Sequence, residues 1–460
     1  MELSFPAFLF SKLYLFVPLF LGCSFFSLKR AWTFPPMASH PLRVKSPLLS
    51  LLLVTLFTWP AHAAFRAGIA TRQVTPDPLL PVSGGIGPGN PVKQKQGELS
   101  VRALVLEQDG TRVAFVSVDF LGFPAVLGDR IRKQVKDIPA ENILIGATHT
   151  HSAPDAYCFP DGKGGTSGDL KYLDFVVTQA ATAVNEAVAK LAPASLKIAT
   201  GEAHGQIAYN YYAPELYDPR VNVFQAIGAD GKPIATLVNY AVHPEVIGSD
   251  AGICSPDLIG PLYERLAELG AGTGIFLNSA QGGMVTADNR KAGGGENRTW
   301  AECQRIGRLL AEESLRVIQD APAQADPKLH VASRMVKFPV ESPLLLAIMR
   351  ASPLGYPADA DGKVTTRINL VNLGTAQILS IPGEALPNIG YYLKRKMHGQ
   401  QNCLFGLTND AFGYILTEVD WQSFKRYEYV SRTCLGERTG EILIDEALKL
   451  IAENPTPTAK

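Results

Sequence analysis

Asn142-Ile143-Leu144-Ile145-Gly146-Ala147-Thr148-His149-Thr150-His151-Ser152-Ala153-Pro154-Asp155 is the stretch that decides how this chain is read. Its first half is an apolar run with the composition of a buried strand. Its second half is a Ser-Ala-Pro-Asp loop entered through two histidines one residue apart. Strand ends are where α/β folds place their sites. On a strand, the period of two turns both imidazoles of an H-x-H pair to one side. There they can ligate one metal, or one can ligate while the other carries protons. Taken alone, the pattern reads equally as two satisfied polar histidines.

Outward from this stretch, strand-like and helix-like segments alternate. Val101–Gln108 and Arg112–Asp119 read as strands before it, and Asp169–Leu191 as a long helix after it, with Leu173, Val176, Val177, Ala180, Ala183 and Val184 on one face. Val221–Ala226 and Ile234–Tyr240 read as a hairpin turned at Asp230-Gly231. Helices are predicted over Asp257–Leu269, Thr299–Ile318, Glu384–Met397 and Arg438–Ile451. Further strands are predicted over Leu329–Val340, Ile368–Leu373 and Ala376–Ile381. The fold class expected is α/β, with mixed β-sheets flanked by helices in a single large domain. Asp77–Pro91 and Pro353–Lys363 read as surface loops.

The N-terminus reads differently. Residues 1–63 are largely apolar, but neither apolar run, Leu13–Phe26 or Leu48–Trp59, reaches the roughly 18 residues of a membrane span. Arg43 and Lys45, the apolar Leu48–Phe57 and the Ala61-His62-Ala63 site form a secretory signal preceded by Met37. Residues 1–63 are therefore read as leader, with Met37 the expected start and cleavage after Ala63; a longer leader from Met1 is the alternative. Residues 64–460 are read as the domain, and the expected location is periplasmic or secreted. The whole chain has 43 Lys and Arg against 43 Asp and Glu. Neutrality gives no attraction to a polyanion, so nucleic-acid binding is not expected. Five cysteines lie beyond the leader, with no CxxC; Cys403 and Cys434 are open to pairing or to standing as free buried thiols.

Three further places could carry chemistry. His243 follows an apolar strand in Asn239-Tyr240-Ala241-Val242-His243-Pro244. Glu384 follows Ile381-Pro382-Gly383, between a strand and a helix, where it could also simply complement the helix dipole. Gly406–Tyr414 is a polar loop ending at a tyrosine. Asp119, at a strand end, is either a partner for a ligand histidine or an ordinary cap.

Together these pieces resemble the catalytic domain of the neutral/alkaline non-lysosomal ceramidases. The resemblance runs in order through Ala67–Thr71, Val74-Thr75-Pro76, Arg102–Val105, Gly146–Pro154, Asn239–His243, Ser255-Pro256-Asp257, Asn278–Gly283, Pro382-Gly383-Glu384, Gly406–Tyr414 and Tyr427-Glu428. It implies one Zn2+ held by His149, His243, Glu384 and Tyr414. It places His151 beside the metal as a proton carrier and Tyr427 as a hydrogen-bond donor to the developing oxyanion. The implied activity is zinc-dependent amide hydrolysis of an N-acyl lipid or smaller amide by metal-activated water. The alternative is a metal-containing binding protein on the same scaffold. Two departures accompany it. Val285 stands where those enzymes carry an active-site serine, with Thr286 beyond it, which favours water over serine as nucleophile. The resemblance also implies one catalytic domain without the C-terminal sandwich domain of those enzymes. No transmembrane span is expected after residue 63.

Overall fold

The structure is a computed structural model that describes residues 64–357, 359 and 361–458. The leader reading for residues 1–63 lies outside the described residues.

Three copies of one topological unit make the fold. Each is a three-stranded antiparallel meander, then a helix, then a fourth strand parallel to the third, then a longer helix. The first unit uses strands Arg66–Gln73, Ser100–Gln108, Thr111–Val118 and Ile143–Ala147 with helices Ala125–Arg132 and Leu170–Ala189. The second uses Ala192–Glu202, Arg220–Gly228, Pro233–Tyr240 and Thr273–Asn278 with helices Ile259–Glu268 and Trp300–Ile318. The third uses Leu329–Pro339, Lys363–Leu373, Ala376–Ser380 and Gln401–Phe405 with helices Pro387–Lys396 and Thr439–Ala452. Arg66–Gln73 pairs with Ala192–Glu202, so the first two units form one continuous sheet and the third unit keeps its own. A helical crossover is what lets a third and fourth strand run parallel. The α/β class with mixed sheets and flanking helices is therefore observed.

Period-two alternation explains why each sheet is covered on both faces. In Ser100–Gln108, Val101, Ala103 and Val105 pack outward against the unit's own helices, while Leu104 and Leu106 point inward. The inward faces of all three units share one core that includes Phe115, Leu144, Phe224, Leu277, Ile378 and Phe405. The helices carry the expected signals. Asp169 caps Leu170–Ala189 by accepting from the Tyr172 amide, and all six residues predicted for its apolar face are buried. Thr299 caps Trp300–Ile318 in the same way, with Glu302 in the first turn.

One helix prediction is corrected. Glu384–Met397 is not helical from Glu384: Glu384-Ala385 is a short strand beside Tyr414-Ile415, and the helix begins at Pro387. Proline at the first helical turn sets that start, so Glu384 does not sit on the helix dipole. Sequence periodicity also passed over the strands Arg66–Gln73, Ala192–Glu202 and Thr273–Asn278. All five cysteines of the described residues are buried and free. No helix among these residues is long and apolar enough to cross a membrane.

The fourth strands of the three units end side by side. The Ala147 amide donates to Leu407 O (3.2 Å), and the Gly406 amide to Asn278 O (2.9 Å). The buried Asn278 side chain ties the ends together. Its Nδ2 donates to Thr148 O (3.2 Å) and Val242 O (2.7 Å), and its Oδ1 accepts from the Val242 (3.2 Å) and Ser279 (2.9 Å) amides. A Cβ on Gly406 would lie 2.0 Å from Ser279 O, so only glycine allows this approach. Asn278→Ala strands several buried polar groups at once. The expected loss is about 3 kcal/mol or more, read as a lowered Tm in calorimetry with the secondary structure retained.

Candidate metal centre

Loops leaving these strand ends carry the candidate residues. His149 and His151 follow Ile143–Ala147, but they do not sit on a strand as the sequence suggests: the strand ends at Ala147 and His149 takes φ 74°. Left-handed backbone is uncommon for histidine and occurs where surrounding contacts impose it. Here the His149 amide donates to Phe120 O (2.9 Å) and the His151 amide to Pro244 O (3.1 Å). Turning the chain, rather than strand alternation, brings both rings to one point.

That point is a cluster of three imidazoles and a carboxylate. His149, His151 and His243 each place a ring nitrogen within 4.8 Å of the others. His151 Nε2 lies 3.3 Å from His149 Nε2. Glu384 Oε2 lies 3.4 Å from His149 Nε2 and 3.2 Å from His243 Nε2. His149, His243 and Glu384 are all buried. Backbone carbonyls orient two of the rings: Leu121 O meets His149 Nδ1, and Val285 O meets His243 Nδ1 at 2.8 Å. A proton on each Nδ1 leaves each Nε2 lone pair aimed into the cluster, the arrangement ligand histidines use. Val285 thus takes part in the site through its backbone carbonyl.

Electrostatics and hydrogen bonding both suit a cation here. His243 Nε2 and Glu384 Oε2 are buried without a hydrogen-bond partner, and such groups are costly unless something bonds them. Burial disfavours the Glu384 carboxylate, but the His149 and His243 imidazoles outweigh it and hold its pKa well below the usual range. Burial likewise opposes charge on His243, yet Glu384 raises its pKa. Burial, then proximity to the other two rings, pushes His151 well below the ordinary imidazole value. The donor set of imidazole nitrogen and carboxylate oxygen fits zinc.

The remaining candidates separate. Tyr414 lies beside Glu384 in the short parallel pair, and its hydroxyl meets Met284 Sδ at 3.1 Å. Burial and the nearby Glu384 carboxylate raise its pKa well above the phenol range. Tyr427 does not line the cleft over the cluster; its ring packs on Phe424 and Tyr212. Tyr429, which sequence reasoning passed over, does line that cleft, with its ring 5.9 Å from Tyr414. One residue, Glu428, separates Tyr427 from Tyr429, and the turn into the helix Glu428–Arg432 decides which faces inward. Asp119 accepts from the Ser100 amide and hydroxyl, so it holds a strand end and not a histidine. Glu245, also missed, places Oε2 3.5 Å from His151 Nδ1. Its place just past the strand-end His243 was the available signal.

The cleft and the solvent at its mouth together span about 1040 Å³. His149, His151 and Glu384 line it together with Leu345, Ile348, Met349, Val364 and Leu435.

No protein-family model matches this chain, and no curated protein matches it by sequence. Solved structures do. The chain is similar to the neutral ceramidase from Pseudomonas aeruginosa, with TM-score 0.68 and 16% identity over 86% of this chain and 76% of that one. It is also similar to a ceramidase complexed with C2, with TM-score 0.66 and 16% identity over 86% of this chain and 77% of that one. The α/β architecture with a histidine-rich cluster at its strand ends is thus the neutral ceramidase fold.

Metal binding by this cluster is checked by equilibrium dialysis with elemental analysis. His243→Ala and Glu384→Gln are each expected to lower zinc affinity at least tenfold, while His151→Ala retains it. Protons and the cation compete for the same lone pairs, so occupancy falls as pH falls through the histidine range.

Proposed function

We propose that this protein is a zinc-dependent amide hydrolase acting on an N-acyl amide, exported from the cell by its leader. The observation that carries the reading is the buried Glu384 carboxylate faced by the Nε2 atoms of two imidazoles, in the lining of a largely apolar cleft. The similarity to neutral ceramidases supports it.

His149, His243 and Glu384 are the ligands this geometry supports, with Tyr414 adjoining through Glu384. His151 is the alternative third nitrogen, but Glu245 already lies on its other side and leaves it suited to proton transfer. A bound zinc supplies Lewis acidity that polarises the amide carbonyl and makes water nucleophilic at neutral pH. The chain supplies the rest. The apolar cleft takes the acyl chain and excludes water from it. His151, kept neutral by burial, accepts a proton from the attacking water and returns it to the leaving nitrogen. Tyr429 lines the cleft and is assigned here the donation to the developing oxyanion that the resemblance gave Tyr427. Val285 offers no side-chain nucleophile, so the attack is by water.

Hydrolysis of a panel of long-chain N-acyl amides tests the reading. Activity is expected with zinc, lost on chelation and restored by zinc. His151→Ala is expected to lower kcat by about 10²–10⁴ with zinc retained; a metal-loaded protein inactive on every amide favours the binding-protein reading. Tyr429→Phe is expected to lower kcat by about 10²–10³, and Tyr427→Phe to leave it within about threefold, measured by steady-state kinetics on the best substrate.

A further inference from the structure

A second cleft adjoins the first at His151, and its chemistry is opposite. With the solvent at its mouth it spans about 820 Å³, and His151 lines both spaces. Elsewhere two close contacts divide them. Gly84 on the apolar side lies against Ser249 on the other, close enough that a Cβ would stand 2.6 Å from Ser249 Oγ. Tyr414 on the apolar side meets Met284 on the other, sulfur to hydroxyl. Beyond His151 the walls carry Glu245, Ser249, Thr286, Asn289 and Glu296. Asp250 there is paired with Arg298, so Glu245, which meets His151 Nδ1, and the exposed Glu296 leave the lining net negative.

Amide hydrolysis has two products of unequal polarity. The C–N bond breaks, a C–O bond to the water oxygen forms, and both water protons finish on nitrogen. The result is a carboxylate and an alkylammonium. Nitrogen must sit where His151 can protonate it, at the junction of the two clefts. The acyl chain then lies among Leu345, Ile348 and Met349, and whatever nitrogen carries extends past His151 toward the carboxylates. A long alkyl chain there would bury hydrocarbon against charged groups at the cost of their hydration. A short amine bearing hydroxyl or ammonium groups would meet partners for them.

We infer that the substrate is an N-acyl amide of a small polar or cationic amine, with Glu245 and Glu296 receiving the amine, and not an amide of a long-chain sphingoid base. This rests on the amide-hydrolase reading above and narrows it.

The test compares zinc-loaded protein on three amides sharing one palmitoyl chain: those of 1,3-diaminopropane, ethanolamine and sphingosine. The expected order of kcat/KM is diaminopropane first, then ethanolamine, with the sphingosine amide at least tenfold below diaminopropane. Glu296→Gln is expected to raise KM for the diaminopropane amide at least fivefold, with kcat within twofold. In parallel, calorimetry measures binding of 1,3-diaminopropane itself, expected to weaken at least fivefold in Glu296→Gln. Faster turnover of the sphingosine amide, or diamine binding and KM unmoved by Glu296→Gln, overturns the inference and leaves the hydrolase reading standing. Diamine binding that depends on Glu296 with no amide hydrolysed supports the amine site and overturns the hydrolase reading instead.

Discussion

The site depends on one buried side chain, the amide of Asn278. It joins three chain segments that have no sequence neighbourhood: Thr148 at the end of one fourth strand, Val242 beside His243, and Ser279 at its own strand end. Its own carbonyl receives the Gly406 amide from the third unit. A carboxamide has two donors and an acceptor with two lone pairs, and here all are used. Because the loops carrying His149, His243 and the Gly406–Tyr414 segment start from these tied points, their positions are set together and not one by one. Cα-level tolerance is small at such a junction, as the absence of room for a Cβ at Gly406 shows.

Once held, the cluster has an electrostatic logic of its own. A carboxylate with almost no exposure needs a counter-charge, and the basic groups that face Glu384 Oε2 are the His149 and His243 imidazoles. With carbonyls taking the Nδ1 protons of His149 and His243, the inward nitrogens are left as lone-pair donors around an anion. A cation answers both needs, and a proton on His243 answers only one. The flanking clefts then give direction: apolar walls lie on one side of His151 and carboxylates on the other. The cluster and the two clefts meet at a single junction of loops.

Much of this was legible in residue order. The apolar run before His149, the strand before His243 and the Pro-Gly turn before Glu384 each marked a strand end with a chemical residue after it, and the structure brings all three together. The hairpin at Asp230-Gly231 formed as its turn residues require. What escaped was anything decided by conformation away from a regular element. The H-x-H pair converges through a left-handed residue and not through strand alternation. Glu384 lies on a short strand because Pro387 delays the helix. Tyr429, not Tyr427, reaches the cleft because a short helix turns there. The threefold repetition of one topological unit leaves no matching residue pattern, because each unit keeps the order of elements without keeping their side chains.

The sequence by itself determined the alternation of strands and helices, the strand ends that bear His149, His243 and Glu384, and the polar loop that ends at Tyr414. These are local properties, written in side-chain periodicity and turn chemistry. Only the tertiary structure decided that three units share an inner core, that their fourth strands end in contact, and that the cluster stands between an apolar and an acidic cleft. Those outcomes depend on contacts between residues more than a hundred positions apart, such as Asn278 with Thr148 and Gly406 with Ser279. No local signal encodes such pairings, because the energy that selects them arises only when the distant surfaces are buried against each other.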